Sequence, residues 1–113
     1  MASEPRLTSD FWVRAYLTRL ALADIPAFIT SKGDPTAGAV IVKCAHLDGT
    51  AKAFQRSYDL MSGQRIWVTL ADGEELSVDE VIARQRHNDP DLWVVEIESR
   101  DGRTLLDEDG LSS

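Results

Sequence analysis

The chain has 113 residues, the length of one domain. Its 43% hydrophobic and 27% charged residues match ordinary globular usage, which argues against a disordered chain. A single cysteine, Cys44, excludes an internal disulfide, and no apolar run approaches the roughly 18 residues that a membrane helix needs. The formal net charge is −7 and is uneven: residues 1–70 carry eight Lys/Arg against six Asp/Glu, and residues 71–113 carry four against thirteen. An acidic second half argues against broad nucleic-acid binding, because phosphate backbones are held by clustered cations. It suits partners with basic surfaces. Met1 to Arg6 shows neither the basic nor the apolar region of a secretory signal, so a cytoplasmic location is expected.

In chain order, residues 1–8 read as a flexible N-terminal lead. Leu7, Trp12, Val13, Tyr16, Leu17, Leu20 and Ala21 recur at helical spacing and predict a helix over about residues 9–23. Thr8 or Ser9 can cap it, and Pro26 ends it. Short strands follow at Ala27 to Thr30, at the continuous β-branched run Ala39 to Ala45, and after the Asp48-Gly49 turn at Thr50 to Arg56. Another spans Arg65 to Leu70, with Asp72-Gly73 read as the next turn. Ser77-Val78-Asp79-Glu80 fits a capping box opening a second helix over about residues 78–88, which Pro90 closes. Leu92 to Glu98 is a strand, with Val95 and Ile97 on one face and Glu96 and Glu98 on the other. Arg103 to Leu106 could add a short strand.

The order α-β-β-β-β-α-β groups hairpin-linked strands. It predicts a single α+β domain over residues 9–106 with a mainly antiparallel sheet and two helices packed on one face. Residues 107–113 read as an acidic mobile tail.

The segments Phe11-Trp12-Val13, Ile25-Pro26-Ala27-Phe28, Gly38 to Lys43, Leu47-Asp48-Gly49-Thr50 and Asp89-Pro90-Asp91-Leu92-Trp93 to Glu98, followed by Asp101-Gly102-Arg103, resemble an alphaproteobacterial family, domain of unknown function 1491. The resemblance covers about residues 7–107, and Asp-Pro-Asp-Leu-Trp is its most specific part. It implies a bacterial cytoplasmic protein of one domain and brings no catalytic residues with it.

Five constellations could carry chemistry. Asp91, Glu96 and Glu98 behind Pro90 approach the pattern of a Mg²⁺-dependent nuclease, since hard cations need oxygen ligands; but Glu98 stands where such enzymes place a lysine, and the spacing is short. The plain alternative is a turn aspartate and a solvated strand face. Cys44 and His46 share a strand face and could join His87 around Zn²⁺, although one cysteine and two histidines are a thin ligand set. A Cys44 nucleophile needs a nearby cation and an oriented histidine, and no glycine-rich oxyanion turn flanks it. Arg84, Arg86 and His87 with Arg100 and Arg103 could gather into an anion site, against the simpler reading of helix-end capping and salt bridges. Trp67 and Trp93, with Trp12, are core residues by default, but tryptophan also marks interfaces, and a sheet edge near them could dock a protein.

No phosphate-loop, dinucleotide, hydrolase-elbow or paired-cysteine motif is present. The expectation is a non-catalytic protein-interaction module without a cofactor, whose partner is another protein and whose free sheet edge leaves a homodimer open. The alternatives are a metal-dependent phosphodiesterase using Asp91, Glu96 and Glu98, and a binder of a small anion at Arg84, Arg86, His87 and Arg103.

Overall fold

The computed structural model describes residues 7–111. The remainder of the expected N-terminal lead, residues 1–6, and the last two residues lie outside them.

Thr8 Oγ1 accepts the Phe11 amide at 3.3 Å and starts α1 (Ser9–Leu22). Trp12, Val13, Tyr16 and Leu20 form its buried stripe. The chain then lays down β1 (Ala27–Ser31), β2 (Val40–Ala45), β3 (Thr50–Tyr58) and β4 (Arg65–Glu74), crosses over through α2 (Glu75–Asn88), and ends the sheet with β5 (Trp93–Glu98). The strand order is β1-β5-β2-β3-β4. Only the β2–β5 pair is parallel, so the sheet is mixed and mainly antiparallel.

The helices do not share a face. α1 packs with Val42, Cys44, Trp93, Val95 and Ile97, whereas α2 puts Val78 and Ile82 against Ile41, Ala51, Ala53 and Val94 on the other side. The expectation of two helices on one face is therefore corrected, and β2 gives the reason. Every one of its residues is buried, so both of its faces need cover, as is usual for a central strand in a helix-flanked sheet.

Four further points differ from expectation. Asp72 and Gly73 do not turn: they pair with Lys52 and Ala51 as part of β4. The chain then enters α2 directly at Glu75, whose amide donates to the Gly49 carbonyl at 2.9 Å, so the Ser77–Glu80 capping box is not the helix start. Early entry stacks Glu75 and Asp79 on one helix face, four residues apart, over the middle of β2. Finally, residues 103–106 form no strand, and the expected mobile tail is packed as far as the description extends. Leu105, Leu106 and Leu111 join the α1-side core. Arg19 donates to the Glu108 carboxylate at 3.0 Å and to the Asp109 carbonyl at 2.8 Å. The apolar surface of three leucines supplies what the charge count of that segment conceals.

On the α2 face, the ammonium of Lys43, a residue only 4% exposed, lies 2.6 Å from Glu75, 2.7 Å from Asp79 and 3.3 Å from Glu96. Burial alone pulls the Lys43 pKa down. The hydrogen bonds to Asp79 and Glu75 and the Glu96 charge more than offset that, and the net direction is upward. One lysine thus ties the first turns of α2 to the sheet centre.

Candidate functional site

β3 outruns its neighbour. The last β2–β3 pair is Ile41 with Gln55, so Arg56, Ser57 and Tyr58 pair only with Trp67, Ile66 and Arg65 of β4. The overhang leaves a notch beside the start of β2. The opposite wall is the first turn of α1 and the loop of residues 33–38.

That loop is fixed by the Asp-Pro-Asp-Leu-Trp stretch. The Asp34 amide donates to the Asp91 carbonyl at 2.9 Å, and the Trp93 indole donates to the Asp34 carbonyl at 2.7 Å. The approach is so close that a Cβ on Gly38 would lie 2.3 Å from the Asp91 oxygen, which restricts the position to glycine. Ser9 Oγ donates to the Gly38 carbonyl at 2.5 Å.

The notch is a cleft of about 430 Å³. Its lining among the described residues includes two arginines, Arg56 and Arg65, and no carboxylate, in a chain with 19 acidic and 12 basic residues. Trp12 and Val40 supply apolar wall on the α1 side, and Thr8, Ser9, Thr36, Gln55 and Ser57 add polar groups.

Arg56 is the unusual group. It sits on the α1 face of β3, directly across from Trp67, with α1 bringing Trp12 over it. Its guanidinium carbon is 4.4 Å from the Trp12 ring centroid and 4.9 Å from that of Trp67, and the two rings are 5.5 Å apart. Such cation–π contacts hold the plane of the cation. Arg56 Nε and Nη2 are nevertheless buried without a hydrogen-bond partner, and so is Trp12 Nε1. Four buried side-chain polar atoms among the described residues lack a partner, and three of them belong to the stacked pair Arg56 and Trp12. Each unmet buried donor costs about 1–3 kcal/mol. Nε–H and Nη2–H form one edge of the guanidinium, the parallel pair that grips both oxygens of a carboxylate or phosphate.

The positive end of α1 does not contribute. The Ser9 and Asp10 amides donate to the Thr36 and Pro35 carbonyls, Phe11 to Thr8 Oγ1, and Trp12 to the Thr8 carbonyl. Any anion in the cleft is therefore met by side chains. Asp34, the carboxylate within the loop of residues 33–38, accepts the Thr36 and Ala37 amides.

The residues expected from sequence fall elsewhere. Glu96 and Glu98 do share the α2 face, but Glu96 is engaged by Lys43. Asp91 sits in the turn before β5, five residues ahead of Glu96 and outside the strand. Among the described residues no group of three His, Cys, Asp or Glu side chains is placed to hold a metal ion. Cys44 is buried toward α1, with Sγ 3.8 Å from the Ser99 carbonyl. Burial first, and the Asp101 charge second, push its thiol pKa up, the wrong direction for a nucleophile. His46 Nδ1 meets Thr50 Oγ1 at 3.0 Å in the β2–β3 turn, and His87 is exposed on α2.

The arginine cluster is divided by the sheet. Arg86 reaches the Leu92 and Lys32 carbonyls at 3.3 and 3.4 Å and borders, with His87, a hollow on the α2 face. Arg84 is exposed on the same helix, while Arg103 borders a hollow beside Phe54 and Trp67 on the α1 face. Trp93 is fully buried, and Trp67 is half-buried with its indole donating to the Leu111 carbonyl at 2.8 Å.

Sequence reasoning passed over Arg56 and took Trp12 as core only. A signal was available: Phe54, Arg56 and Tyr58 alternate along one strand, so an arginine occupies a position that the pattern assigns to an inward face.

A five-stranded mixed sheet covered by one helix on each face, with an arginine-lined cleft at one end, is the class of protein that fold and site define. The chain belongs to the DUF1491 family of proteins of unknown function, whose model matches residues 7–107. It is similar to a DUF1491 protein from Caulobacter crescentus, with a crystal structure at 39% identity and TM-score 0.79 that covers 90% of this chain and 94% of that one. An NMR structure of a DUF1491 protein from the same organism gives 40% identity and TM-score 0.77, with the same coverage. A solution structure of a protein from A. tumefaciens is 30% identical, with TM-score 0.74 over 89% of this chain and 92% of that one. Both organisms are alphaproteobacteria, in keeping with the family resemblance. No curated protein matches the chain. Among the described residues no helix is long and apolar enough to cross a membrane.

Proposed function

We propose that this chain is a binding module whose ligand presents an anionic group to Arg56 in the cleft between the β3–β4 overhang and the start of α1. The observation that carries this reading is that Arg56 and Trp12, whose buried donors Arg56 Nε, Arg56 Nη2 and Trp12 Nε1 lack partners, both line a cleft with no carboxylate among its described residues. A carboxylate or phosphate oxygen pair satisfies the guanidinium edge, and the aromatic contacts keep that edge oriented.

The test is ligand-induced thermal stabilisation at low ionic strength with octanoate, benzoate and inorganic phosphate as probes. A ligand that binds only the folded state raises the melting temperature with its concentration. At least one probe is expected to stabilise the wild type and Arg84→Met alike, because Arg84 is exposed and outside the cleft, while Arg56→Met abolishes the effect. Stabilisation that survives in Arg56→Met would refute the assignment.

A second reading, contact with another protein, is favoured by the β3–β4 turn. Asp59 accepts the Met61 amide at 3.1 Å and Ser62 Oγ at 2.9 Å, which also draw its carboxyl pKa down. These bonds order the turn, yet Leu60 and Met61 are 98% and 94% exposed. Leu60→Asp is expected to leave stability within about 0.5 kcal/mol and to abolish any concentration-dependent association seen by sedimentation. Unchanged association would remove the turn as a contact.

A further inference from the structure

The α2 face of the sheet is covered over only part of its width. α2 packs chiefly over β3 and β4, with Ala51, Ala53 and Ala71 beneath it. Toward the β1 edge the cover ends. Phe28 stands there across from Glu96 and is 44% exposed, and Thr30 beyond it is exposed as well. Cross-strand partners share a face, so Phe28 lies on the Glu96 side. A hollow of about 630 Å³ separates α2 from this strip, with Ile82, Ala83, Pro90 and Val94 among its lining. Independently of the Arg56 cleft, we infer that the strip docks a basic amphipathic helix of a partner protein.

Charge selects the kind of partner. Glu75, Asp79 and Glu96 share the single ammonium of Lys43, and Glu98, on the same face, makes no ion pair among the described residues. Arg86 and His87 border the far end of the hollow, and the Arg86 guanidinium is turned to the Leu92 and Lys32 carbonyls. With Lys43 and Arg86 both counted, these four carboxylates face two cations. The strip therefore attracts cationic groups and repels nucleic acid, anionic lipid and the same strip of a second copy.

Shape selects a helix over a strand. β1 pairs with β5 through a register shift between Ile29 and Ser31, and such an irregularity spoils an edge as a template for another strand. The face of two neighbouring strands is about 10 Å wide, which matches the diameter of a helix with its side chains. A helix laid beside α2 sets apolar side chains over Phe28, Ala83 and Pro90, and lysines or arginines over Asp79, Glu96 and Glu98. The Phe28 ring is the anchor that loses water, and the carboxylates fix the orientation.

The experiment is fluorescence anisotropy of a labelled peptide of about 18 residues, five helical turns, with leucines on one face and lysines on the other, titrated with the full chain at low salt. The comparison probes are a peptide of the same composition with the leucines spread around the helix, a peptide with glutamate in place of lysine, and spermine as a competitor. The chain is used as wild type, Phe28→Ser, Glu98→Lys and Glu80→Lys, with circular dichroism confirming that each is folded. Glu80 is exposed on α2 and outside the hollow, so its reversal changes the net charge equally but away from the strip.

Wild type is expected to bind the amphipathic lysine peptide at least tenfold more tightly than either other peptide. Phe28→Ser and Glu98→Lys are each expected to weaken it by about tenfold, and Glu80→Lys by about twofold or less. Glu80→Lys weakening the peptide as much as Glu98→Lys, or Phe28→Ser leaving it unchanged, would overturn the strip as the docking surface. Equal binding of the dispersed-leucine peptide would overturn the helix, and spermine binding as tightly as the peptide would replace a protein partner by a small polycation. Absence of binding overturns the inference outright. If Phe28→Ser fails to fold, the contrast between Glu98→Lys and Glu80→Lys decides it.

Discussion

Trp93→Ala is expected to destabilise the protein by about 3–5 kcal/mol, the usual cost of removing a large buried aromatic side chain. Trp93 is 1% exposed and lies in the α1-side core at the start of β5, where that strand begins its parallel ladder with β2. Its indole also donates to the Asp34 carbonyl. The substitution therefore opens a cavity and frees the loop that walls the cleft. Against a typical total stability of about 5–15 kcal/mol, this is a large fraction. Urea unfolding at equilibrium measures it, with Trp93→Phe as the companion. Phenylalanine keeps most of the packing and loses the hydrogen bond, leaving the Asp34 carbonyl to find water, so a cost of about 1–2 kcal/mol is expected. Equal costs for the two variants would show that packing is not the main contribution.

Lys43→Met is expected to cost about 3 kcal/mol. Removing one partner of a buried ion pair costs about 3–5 kcal/mol. The lower end applies here because Glu75 and Asp79 side chains are 33% and 47% exposed and can recover water, whereas Glu96 at 20% cannot do so as readily. Lys43→Met combined with Glu96→Gln should recover part of the loss, because the most buried uncompensated charge goes with it. The pH dependence has a definite sign. The folded-state Lys43 pKa is raised, so its contribution is full below the unfolded value of about 10.4 and is lost as pH climbs above it. Tyr16 is raised by burial and then by Cys44, and Cys44 by burial and then by Asp101, so both act in the same direction, starting from about 10 and about 8.5. Wild-type stability should thus decline from about pH 8.5 upward, and the difference between wild type and Lys43→Met should shrink above about pH 10.4. A difference that grows with alkalinity would contradict the ion-pair account.

Local chemistry made several elements readable. Thr8 caps α1 as its side chain allows, Val95 and Ile97 turn inward, and Asp48-Gly49 makes the tight β2–β3 connection, with Gly49 at φ +90°. What local chemistry could not reveal was which face each helix takes. Val40 to Ala45 announced a strand buried on both sides, but helix-to-face assignment depends on the crossover from β4 to β5, a long-range choice. Glu75 and Asp79 looked like solvated helix charges because their partner, Lys43, lies 32 and 36 residues earlier on the opposite layer. Leu111 hid behind Asp107, Glu108 and Asp109. Arg56 hid for a related reason: an arginine near the end of a strand reads as solvent-facing until Trp12 and Trp67, from two other elements, close over it. The Asp-Pro-Asp-Leu-Trp stretch, weighed as part of a metal site, instead uses the Asp91 carbonyl and the Trp93 indole to fix the loop beside the cleft.

The three tryptophans provide a direct test of the cleft as an anion site. Trp67 and Trp93 indoles already donate to the Leu111 and Asp34 carbonyls, whereas the Trp12 indole has no partner. In ¹⁵N-resolved NMR of the full chain, assigned by single Trp→Phe variants, addition of octanoate is expected to move the Trp12 indole N–H and the Arg56 Nε–H downfield together. The Trp67 and Trp93 indole signals should shift little. An unmoved Trp12 indole at saturating octanoate, or movement confined to Trp67 and Trp93, would contradict the assignment of Arg56 and Trp12 as the anion site.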